Sequence, residues 1–536
     1  MELLDQRKFE ELPSKNKSLI ILTMLASIYR KGLLIVFFIV SIAVYTQDSM
    51  DSDLTLKSSN KDLEVVFNWA KEKATFYVQT GKTGPIEVWE NGEATDTVAY
   101  IPSYWAGYPG RTAYYSRDFC HQIEGAYFLG LHDENFSMLK TFAASANAEQ
   151  KWFPAWALNF DGSIYKLDFK SVDNFVREVP ATFELVEKAY QLYLWTRDTR
   201  YLNDPILWNY YTKAVTDFIT LHDKQLPNGV AEGTGKGIFE GAASFNEQRD
   251  LPLIEAGDAI ASQYQAFVAY AEMAKLRGEL QLYHEFIIKA EELKFYFNTD
   301  WGIKNSKSYN RGYLVDGTNA DGWGKENSWF MPMKEITDAS SPRTKEYLAY
   351  INERLESKDD IPENIEALSY IPELYFKHHQ NELGYKWMLH IMNNLKQEHT
   401  YQKATGRNGD YPEVSYVLIR NLIVDMLGIT PLPQENTITT LSHLPKSLNN
   451  LGVSNLSIGN STVNISHVGQ KKSTIKHLSG LNPLTCEVQF YGNHKVLMVN
   501  NKTVNTKQRK HNGKALSLIE ITLKPSETVI VSVPTK

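Results

Sequence analysis

Cysteine is almost absent from this sequence, which has only two in 536 residues. Cys120 and Cys486 lie far apart in the chain and form neither a disulfide framework nor a CxxC motif for metal or redox chemistry. The sequence also lacks an HExxH motif, a Gly-x-Ser-x-Gly elbow and histidines at metal-ligand spacing. We therefore expect two free, mostly buried thiols, no metal ion and no other cofactor.

Positive charge is not in excess, because 56 Lys and Arg stand against 63 Asp and Glu, which gives a net charge of -7. Without a basic surface, nucleic acid is not expected as a partner. The composition is that of a globular protein, with 43% apolar and 22% charged residues. The length allows more than one domain, and the sequence leaves the oligomeric state open.

Long apolar runs are confined to the N-terminal region. After Arg30 and Lys31 comes GLLIVFFIVSIAVYTQ, whose apolar part of about fourteen residues is short for a membrane span but suits the core of a signal peptide. We expect residues 1–47 to be a signal peptide and the protein to be periplasmic or secreted. A retained membrane anchor is the alternative, and no other membrane contact is expected. Residues 48–60 read as a flexible lead-in.

From residue 61 to residue 428, apolar residues recur at the three-to-four spacing of helices, as Ile260, Tyr264, Phe267 and Ala271 do. This pattern predicts a mainly α domain of roughly twelve helices. The predicted spans are 61–80, 117–131, 134–147, 178–197, 204–224, 257–277, 280–299, 326–336, 342–356, 363–378, 381–396 and 411–428.

The lengths of the connections alternate along this helical region. Those after the second, fourth, sixth, eighth and tenth helices are short, whereas those after the first, third, fifth and seventh are long. The connection after the eleventh helix is intermediate, and the one after the ninth is an exception because it is short. In a closed ring of antiparallel helix pairs, all odd-to-even connections emerge at one end. The alternation therefore predicts an (α/α)6 six-hairpin toroid over residues 48–430, with its long, functional loops at one mouth.

The C-terminal region has a different pattern. From residue 431 to residue 536 the chain consists of short β-rich runs such as STVNISHV, CEVQFYG and ETVIVSV, separated by Asn, Gly and Lys. These runs predict a small β-sandwich with a structural role. His378 and His379, at a predicted helix end among the short turns, are expected to be surface residues that interact with helix carbonyls.

The first long loop and the helix after it carry unusual polar chemistry in YYSRDFCHQIEG. Asp118, His121 and Gln122 fall on one helix face, next to Arg117 and preceded by Trp105. A purely structural explanation is that Asp118 stabilises the N-terminus of the helix. Because several hydrogen-bonding groups share one face, we favour substrate binding.

The other long loops supply aromatic and acidic side chains. Aromatic rings stack on sugars and carboxyls act as acids and bases, although packing of the tryptophans and helix-dipole roles for the acids are competing explanations. Glu240 and Glu247 have apolar neighbours that would raise a carboxyl pKa, and Pro412 places Glu413 in the first turn of the last helix. The further binding candidates from these loops are Trp156, Asp161, Trp323, Glu326, Arg407 and Asp410.

The segments RDFCHQIEGAYFLGL, WALNFDG and EVPATFELVEKAYQLYLWTRD resemble the six-hairpin glycosidases, particularly the L-rhamnosidase and glucoamylase-like groups. The resemblance covers roughly residues 60–536. It implies a proton donor between helices five and six, which is Glu240 or Glu247 here, and a base just before helix twelve, which is Glu413. An inverting exo-glycosidase follows, with carboxyls about 6.5–9.5 Å apart.

The substrate is expected to be an oligosaccharide or polysaccharide. Arg117, His121, Lys236 and Arg407 would recognise the carboxylate of a terminal uronic acid such as glucuronic acid, and an L-rhamnoside is the neutral alternative. Two other classes remain open. A polysaccharide lyase would use tyrosine or histidine as its base, and a glycan-binding protein would have no turnover.

Overall fold

A computed structural model describes residues 53–534, apart from residue 109, the segments 246–250, 302–307 and 400–405, and the side chains of 325–327. Of the twelve principal helices in this described part, nine lie within a few residues of their predicted spans, whereas the fifth, tenth and twelfth are about half as long as predicted. The twelve helices are α1 Lys61–Phe76, α2 Ser116–Phe128, α3 His132–Ser145, α4 Val179–Thr196, α5 Pro205–Val215, α6 Gly257–Leu276, α7 Leu280–Thr299, α8 Lys325–Met333, α9 Pro342–Glu356, α10 Ile371–Lys377, α11 Asn381–Asn394 and α12 Pro412–Arg420.

Four shorter helical segments adjoin these helices. Arg200–Asn203 precedes α5, Asp217–His222 follows it, Ile365–Ser369 precedes α10, and a π-helix at Asn421–Met426 continues α12. Each falls inside or next to a predicted helix, so the helical periodicity located the segments and missed only their internal breaks.

The even-numbered helices pack on one another in a closed cycle. Helix α2 contacts α4, α4 contacts α6, α6 contacts α8, and α8 contacts α10. The cycle closes because α10 and its preceding segment contact α12 with its π-helical continuation, and α12 contacts α2. Nearly every residue of α2 is buried, whereas α7 buries one stripe formed by Phe286, Ala290, Leu293 and Phe297. Helix α7 is therefore amphipathic and packs from outside.

The long loops are joined to one another by short strands. Ala113–Tyr115 from the α1–α2 loop pairs with Ala157–Asn159 from the α3–α4 loop. Leu253–Ala256 from the α5–α6 loop pairs with Gly312–Leu314 from the α7–α8 loop. A bridge between Glu178 and Ala242 connects the second loop to the third. These pairings join the first long loop to the second, the second to the third and the third to the fourth.

The C-terminal region forms a β domain of two sheets. In spatial order, the strands of the first sheet are Thr55–Ser58, Asn450–Ile458, Ser461–Val468, Lys472–Ser479, Thr528–Ser532, Val496–Val499 and Lys502–Asn505. Those of the second sheet are Thr430–Pro431, Thr437–Leu441, Leu484–Tyr491, Lys514–Leu523 and Lys507–His511. A mainly α domain followed by a β domain is therefore confirmed.

One strand of the first sheet comes from the N-terminal segment that was predicted to be flexible. Thr55–Ser58 pairs with Asn450–Ile458, with Leu56 opposite Val453. Leu56 is 4% exposed, and burial alternates along the strand. The prediction of a flexible lead-in is wrong for these residues, because a four-residue strand shows little periodicity before its distant partner is known.

The paired histidines at the end of α10 are buried, so the prediction that they lie on the surface is wrong. The His379 ring contacts the Tyr491 hydroxyl through Nδ1 and His511 through Nε2, each at 3.0 Å. The His378 Nε2 lies 2.9 Å from the carbonyl of Pro332 in α8, so this residue does interact with a helix carbonyl. The β domain covers this end of α10, which the local sequence does not reveal.

Cys120 and Cys486 are free and buried, as predicted. Among the described helices, none combines the length and apolar character needed to cross a membrane. The predicted signal peptide, residues 1–47, lies outside the described residues.

Candidate active site

Several inner helices begin at the end of the helical domain where the long loops lie. Helix α2 starts with Arg117 and Asp118, α6 with Asp258, and α12 with Glu413. The N-terminus of a helix carries unpaired N–H groups and a partial positive charge. Polar side chains from distant parts of the chain are thereby gathered around one point.

Glu413 is the most unusual of these groups. Its side chain is completely buried, and neither carboxyl oxygen accepts a hydrogen bond of normal geometry from the described residues. Burial raises the pKa of Glu413 well above its usual value, and the negative charges of Asp118 and Glu366 raise it further, whereas Arg117 and the Tyr370 hydroxyl lower it. Glu413 therefore holds its proton to a higher pH than an exposed glutamate does.

Asp118 and Arg117 flank Glu413. The Tyr411 hydroxyl donates to Asp118 Oδ1 at 3.1 Å. The Arg117 guanidinium donates to the Phe245 carbonyl at 3.0 Å and lies 5.6 Å from the centre of the Phe245 ring. Arg117 is half-buried, while Asp118 is buried. The predicted binding residues Arg117 and Asp118 thus lie in the same site as Glu413.

His121 belongs to the buried wall of the site, behind Arg117, Asp118 and Glu413. Its Nε2 is 3.3 Å from Glu184 Oε1, and its ring meets the Tyr370 ring edge-on at 3.8 Å. Burial lowers the pKa of His121, although the nearby Glu184 raises it. With 7% of its surface exposed, His121 is neutral and supports Tyr370.

A buried ion cluster supports His121 in turn. Lys334 Nζ is 2.5 Å from both Glu184 and Glu187. Burial raises the pKa of Glu184, but Lys334 and His121 lower it more, so it falls below the usual value. Glu184 therefore stays ionised beneath the site and fixes the His121 ring from α4.

The side-chain N–H groups of the next three predicted residues donate to the protein itself. Gln122 is fully buried and donates to the Trp105 carbonyl at 3.0 Å. The indole of Trp105 donates to the Arg111 carbonyl at 2.7 Å, and that of Trp156 to Glu178 at 2.9 Å. Trp105 and Trp156 remain half-exposed, so their ring faces are what they can offer a sugar.

Four other predicted residues hold loop structure. Asp161 accepts from the backbone and hydroxyl of Ser163, and the Trp323 indole donates to the Asp360 carbonyl at 3.0 Å. Asp410 forms an ion pair with Lys73 at 2.6 Å and accepts from the backbone of Arg407, whose side chain is exposed. Their roles in substrate binding remain predictions.

The two candidate proton donors differ in what the structure reveals. Glu240 lies in a short 3-10 turn with its side chain 53% exposed, 3.4 Å from Lys236. Glu247 lies outside the described residues, as does the side chain of Glu326. Phe245, two positions before Glu247, donates its N–H to Asp258 at 2.8 Å and accepts from Arg117. The chain is therefore tied to the Arg117 site directly before Glu247.

Glu255, in the same loop as these two, shows that a raised pKa does not by itself mark the site. Burial raises the pKa of Glu255 to about 8, with a smaller contribution from Glu232. Its Oε1 accepts from Asn228, which also donates to the Tyr296 hydroxyl of the outer helix α7. Glu255 therefore lies on the outer side of its strand.

Sequence reasoning missed Tyr370, Tyr411 and Phe245, which complete the surroundings of Arg117, Asp118 and Glu413. The one available clue to Tyr411 is its place immediately before Pro412 at the start of α12. Tyr370 follows a short connection rather than a long loop, so the argument from loop length passed over it.

No protein-family model matches this sequence, and no curated protein matches it significantly. Its structure is similar to that of an α-L-rhamnosidase from Dictyoglumus thermophilum, with a TM-score of 0.56 and 14% identity over 90% of this chain and 50% of that one. A GH78 family rhamnosidase from Bacillus sp. GL1 gives a TM-score of 0.55 and 12% identity over 82% of this chain and 42% of that one. The chain spans half or less of the length of these enzymes. At such identities the similarity is one of fold.

Proposed function

We propose that this protein is an exo-acting glycoside hydrolase with an (α/α)6 toroid, in which Glu413 is one of two catalytic carboxyls. The observation that carries the proposal is the buried Glu413 carboxyl, which accepts no normal hydrogen bond from the described residues yet lies among Asp118, Arg117 and Tyr370. A buried carboxyl is normally paired, since desolvation without a partner costs several kcal/mol. Such groups are typical of active sites. The closed cycle of even-numbered helices supports the toroid.

Glu413 acts as the general base in this proposal, and Glu247 as the proton donor. Glu413 must then lose its proton before it activates a water molecule. Glu247 is preferred to Glu240, because the chain before Glu247 is held against Arg117, whereas Glu240 is exposed and paired with Lys236. An inverting reaction follows if water attacks opposite the leaving group.

The described residues favour a neutral, partly apolar sugar over a uronic acid. Of the four residues expected to recognise a carboxylate, only Arg117 contacts the described site as a cation. His121 is neutral against Glu184, Lys236 pairs with Glu240, and Arg407 is exposed. A deoxy sugar such as L-rhamnose is therefore the first substrate to test, and a glucuronide the second.

The experiment is a panel of aryl glycosides, with the α-L-rhamnoside and β-glucuronide first, assayed on the wild type and Glu413→Gln. We expect kcat to fall by at least 10²-fold in the variant, as for loss of a general acid or base. Glu382→Gln, on outer helix α11, is the control and keeps full activity. Undiminished turnover by Glu413→Gln would remove Glu413 from the site. An unsaturated, ultraviolet-absorbing product would instead indicate a lyase.

The pH dependence of kcat/KM assigns the role of Glu413. If Glu413 is the base, activity rises with pH through its raised pKa, because the deprotonated form is active. If it is the acid, activity falls as pH rises through that pKa. Proton NMR of the first-formed product gives its anomeric configuration and tests inversion.

We propose, second, that the protein is exported, since an enzyme that trims complex glycans meets its substrate outside the cell. The apolar segment within residues 1–47 is the observation behind this second proposal. N-terminal sequencing of the protein recovered from culture medium or periplasm tests it. A mature chain that still begins with Met1 would contradict cleavage.

A further inference from the structure

Among the described residues, the buried tyrosines Tyr114, Tyr201, Tyr211 and Tyr370 each have a hydroxyl without a normal hydrogen bond. Tyr370 is the one of these four that lies beside Glu413. The side chain is 3% exposed, and its hydroxyl makes no normal hydrogen bond with the described residues. A buried hydroxyl without a partner costs roughly 1–3 kcal/mol. A phenylalanine would fill the same space without that cost, so packing does not account for the hydroxyl.

The Tyr370 ring is held firmly in place. The His121 ring meets it at 3.8 Å and 86°, and the Phe330 ring packs on it at 5.4 Å. His121 is itself fixed by Glu184 at 3.3 Å, and Glu184 by Lys334 at 2.5 Å. These contacts connect the buried ions Lys334 and Glu184 to Tyr370 through His121, and they restrict the orientation of the Tyr370 ring.

That hydroxyl lies near the Glu413 carboxyl. Glu413, Arg117, Asp118 and Glu184 are the charged groups that act on Tyr370. Those that act on Glu413 are Asp118, Arg117, Glu366 and Tyr370. Two buried groups therefore face each other across one site, each lacking a normal hydrogen bond to the described residues.

We propose that Tyr370 is the residue that orients the Glu413 carboxyl, with its own ring positioned by His121 and Glu184. This inference rests on the proposed function for its catalytic meaning, but its geometry stands independently. A small side-chain adjustment brings the hydroxyl into a hydrogen bond with one Glu413 oxygen, which leaves the other to meet substrate or water. Tyr370 is thus a positioning residue that acts through Glu413.

Infrared difference spectroscopy tests this inference without a substrate. The band that the wild type shows and Glu413→Gln lacks is the C=O stretch of the protonated Glu413 carboxyl. In Tyr370→Phe we expect this band to move to higher frequency, because a hydrogen bond to the carboxyl is lost. In the control Tyr375→Phe it stays in place, since the Tyr375 hydroxyl on the same helix donates to the Leu348 carbonyl.

The kcat and KM of the same variants are measured in parallel. Loss of one hydrogen bond to a charged group predicts a kcat of Tyr370→Phe lower by about tenfold, with KM almost unchanged. An unmoved Glu413 band in Tyr370→Phe, or an equal shift in Tyr375→Phe, would overturn the inference even if the wild type cleaves glycosides. A shifted band in a protein that cleaves no glycoside would uphold the positioning and refute the proposed function instead.

Discussion

Gly125 gives the sharpest test of how the site is assembled. It lies on α2, on the same face as Asp118 and His121, at the point where α2 crosses α12. A Cβ atom built on Gly125 would lie 2.2 Å from the carbonyl oxygen of Tyr416 and 2.8 Å from its Cα. These are backbone atoms of α12, the helix that begins with Glu413. Gly125→Ala therefore makes two backbones collide near the Glu413 carboxyl.

Two effects of this substitution oppose each other. Alanine is better than glycine in a helix by about 1 kcal/mol. Ordinary atomic contact requires α2 and α12 to separate by about 1 Å, however, and overpacking that no side chain can relieve lies at the upper end of about 1–3 kcal/mol. We expect the free energy of unfolding to fall by about 2 kcal/mol.

Urea unfolding at neutral pH measures the loss of stability in Gly125→Ala. The effect on the site is measured as kcat on the preferred aryl glycoside. A displacement of about 1 Å between the elements of a site can lower kcat on the order of 10²-fold. Gly384→Ala in outer helix α11 is the matched control, because the atoms nearest to its Cβ belong to the side chain of Phe376, at 2.7 Å, and not to a backbone. A Gly125→Ala protein as stable as the wild type would refute the argument from close approach.

Three further predictions concern stability. Lys334→Met leaves Glu184 and Glu187 buried without their cation, and should lower the free energy of unfolding by about 3–5 kcal/mol in urea titrations at pH 7. Burial, with nearby histidines, lowers the pKa of His379 to about 3. The unfolded chain takes up a proton below about pH 6.5 and the folded one does not, so stability falls as the pH drops from 7 to 5, and falls less in His379→Gln. Leu56→Ala should lower the free energy of unfolding, measured by urea titration, by about 2 kcal/mol, because its strand is a paired part of the β domain.

The substitutions at Lys334 and Leu56 each have a matched exposed site. Lys386→Met removes a half-exposed ion pair with Glu356 and should change stability by less than about 1 kcal/mol. Equal losses at Lys334 and Lys386 would contradict the buried-ion argument. Val65→Ala, at a side chain 68% exposed, should be nearly neutral, and a neutral Leu56→Ala would mean that its strand contributes nothing. An unchanged pH slope in His379→Gln would show that this histidine is protonated in the fold.

The helical domain was predictable because its pattern is local. Helix α7 buries Phe286, Ala290, Leu293 and Phe297 at three-to-four spacing, and this stripe is visible in the sequence before any partner is known. Connection length was informative for a similar reason, since loops that must build a site are longer than turns that only reverse the chain. Both features led to the correct class of fold.

Part of the site was predictable in the same way. Pro412 fixed the start of α12 and hence put Glu413 at the loop end, and helical spacing put Asp118 and His121 on one face of α2. Residues in short connections gave no such sign. Tyr370 gains its importance only because α10 brings it against His121 from a distance of 249 positions along the chain.

The sequence by itself therefore determined the periodic helices, the change to β-rich runs after residue 430, and the loops that carry the polar residues. Only the tertiary structure decided which of those residues face one another. It placed His121 on Glu184 rather than in solvent, paired Thr55–Ser58 with a strand almost 400 residues away, and buried Glu413 beside Asp118. The physical reason is that periodicity is set by neighbouring residues, whereas burial and the charge around a carboxyl are set by whichever distant segments pack against it.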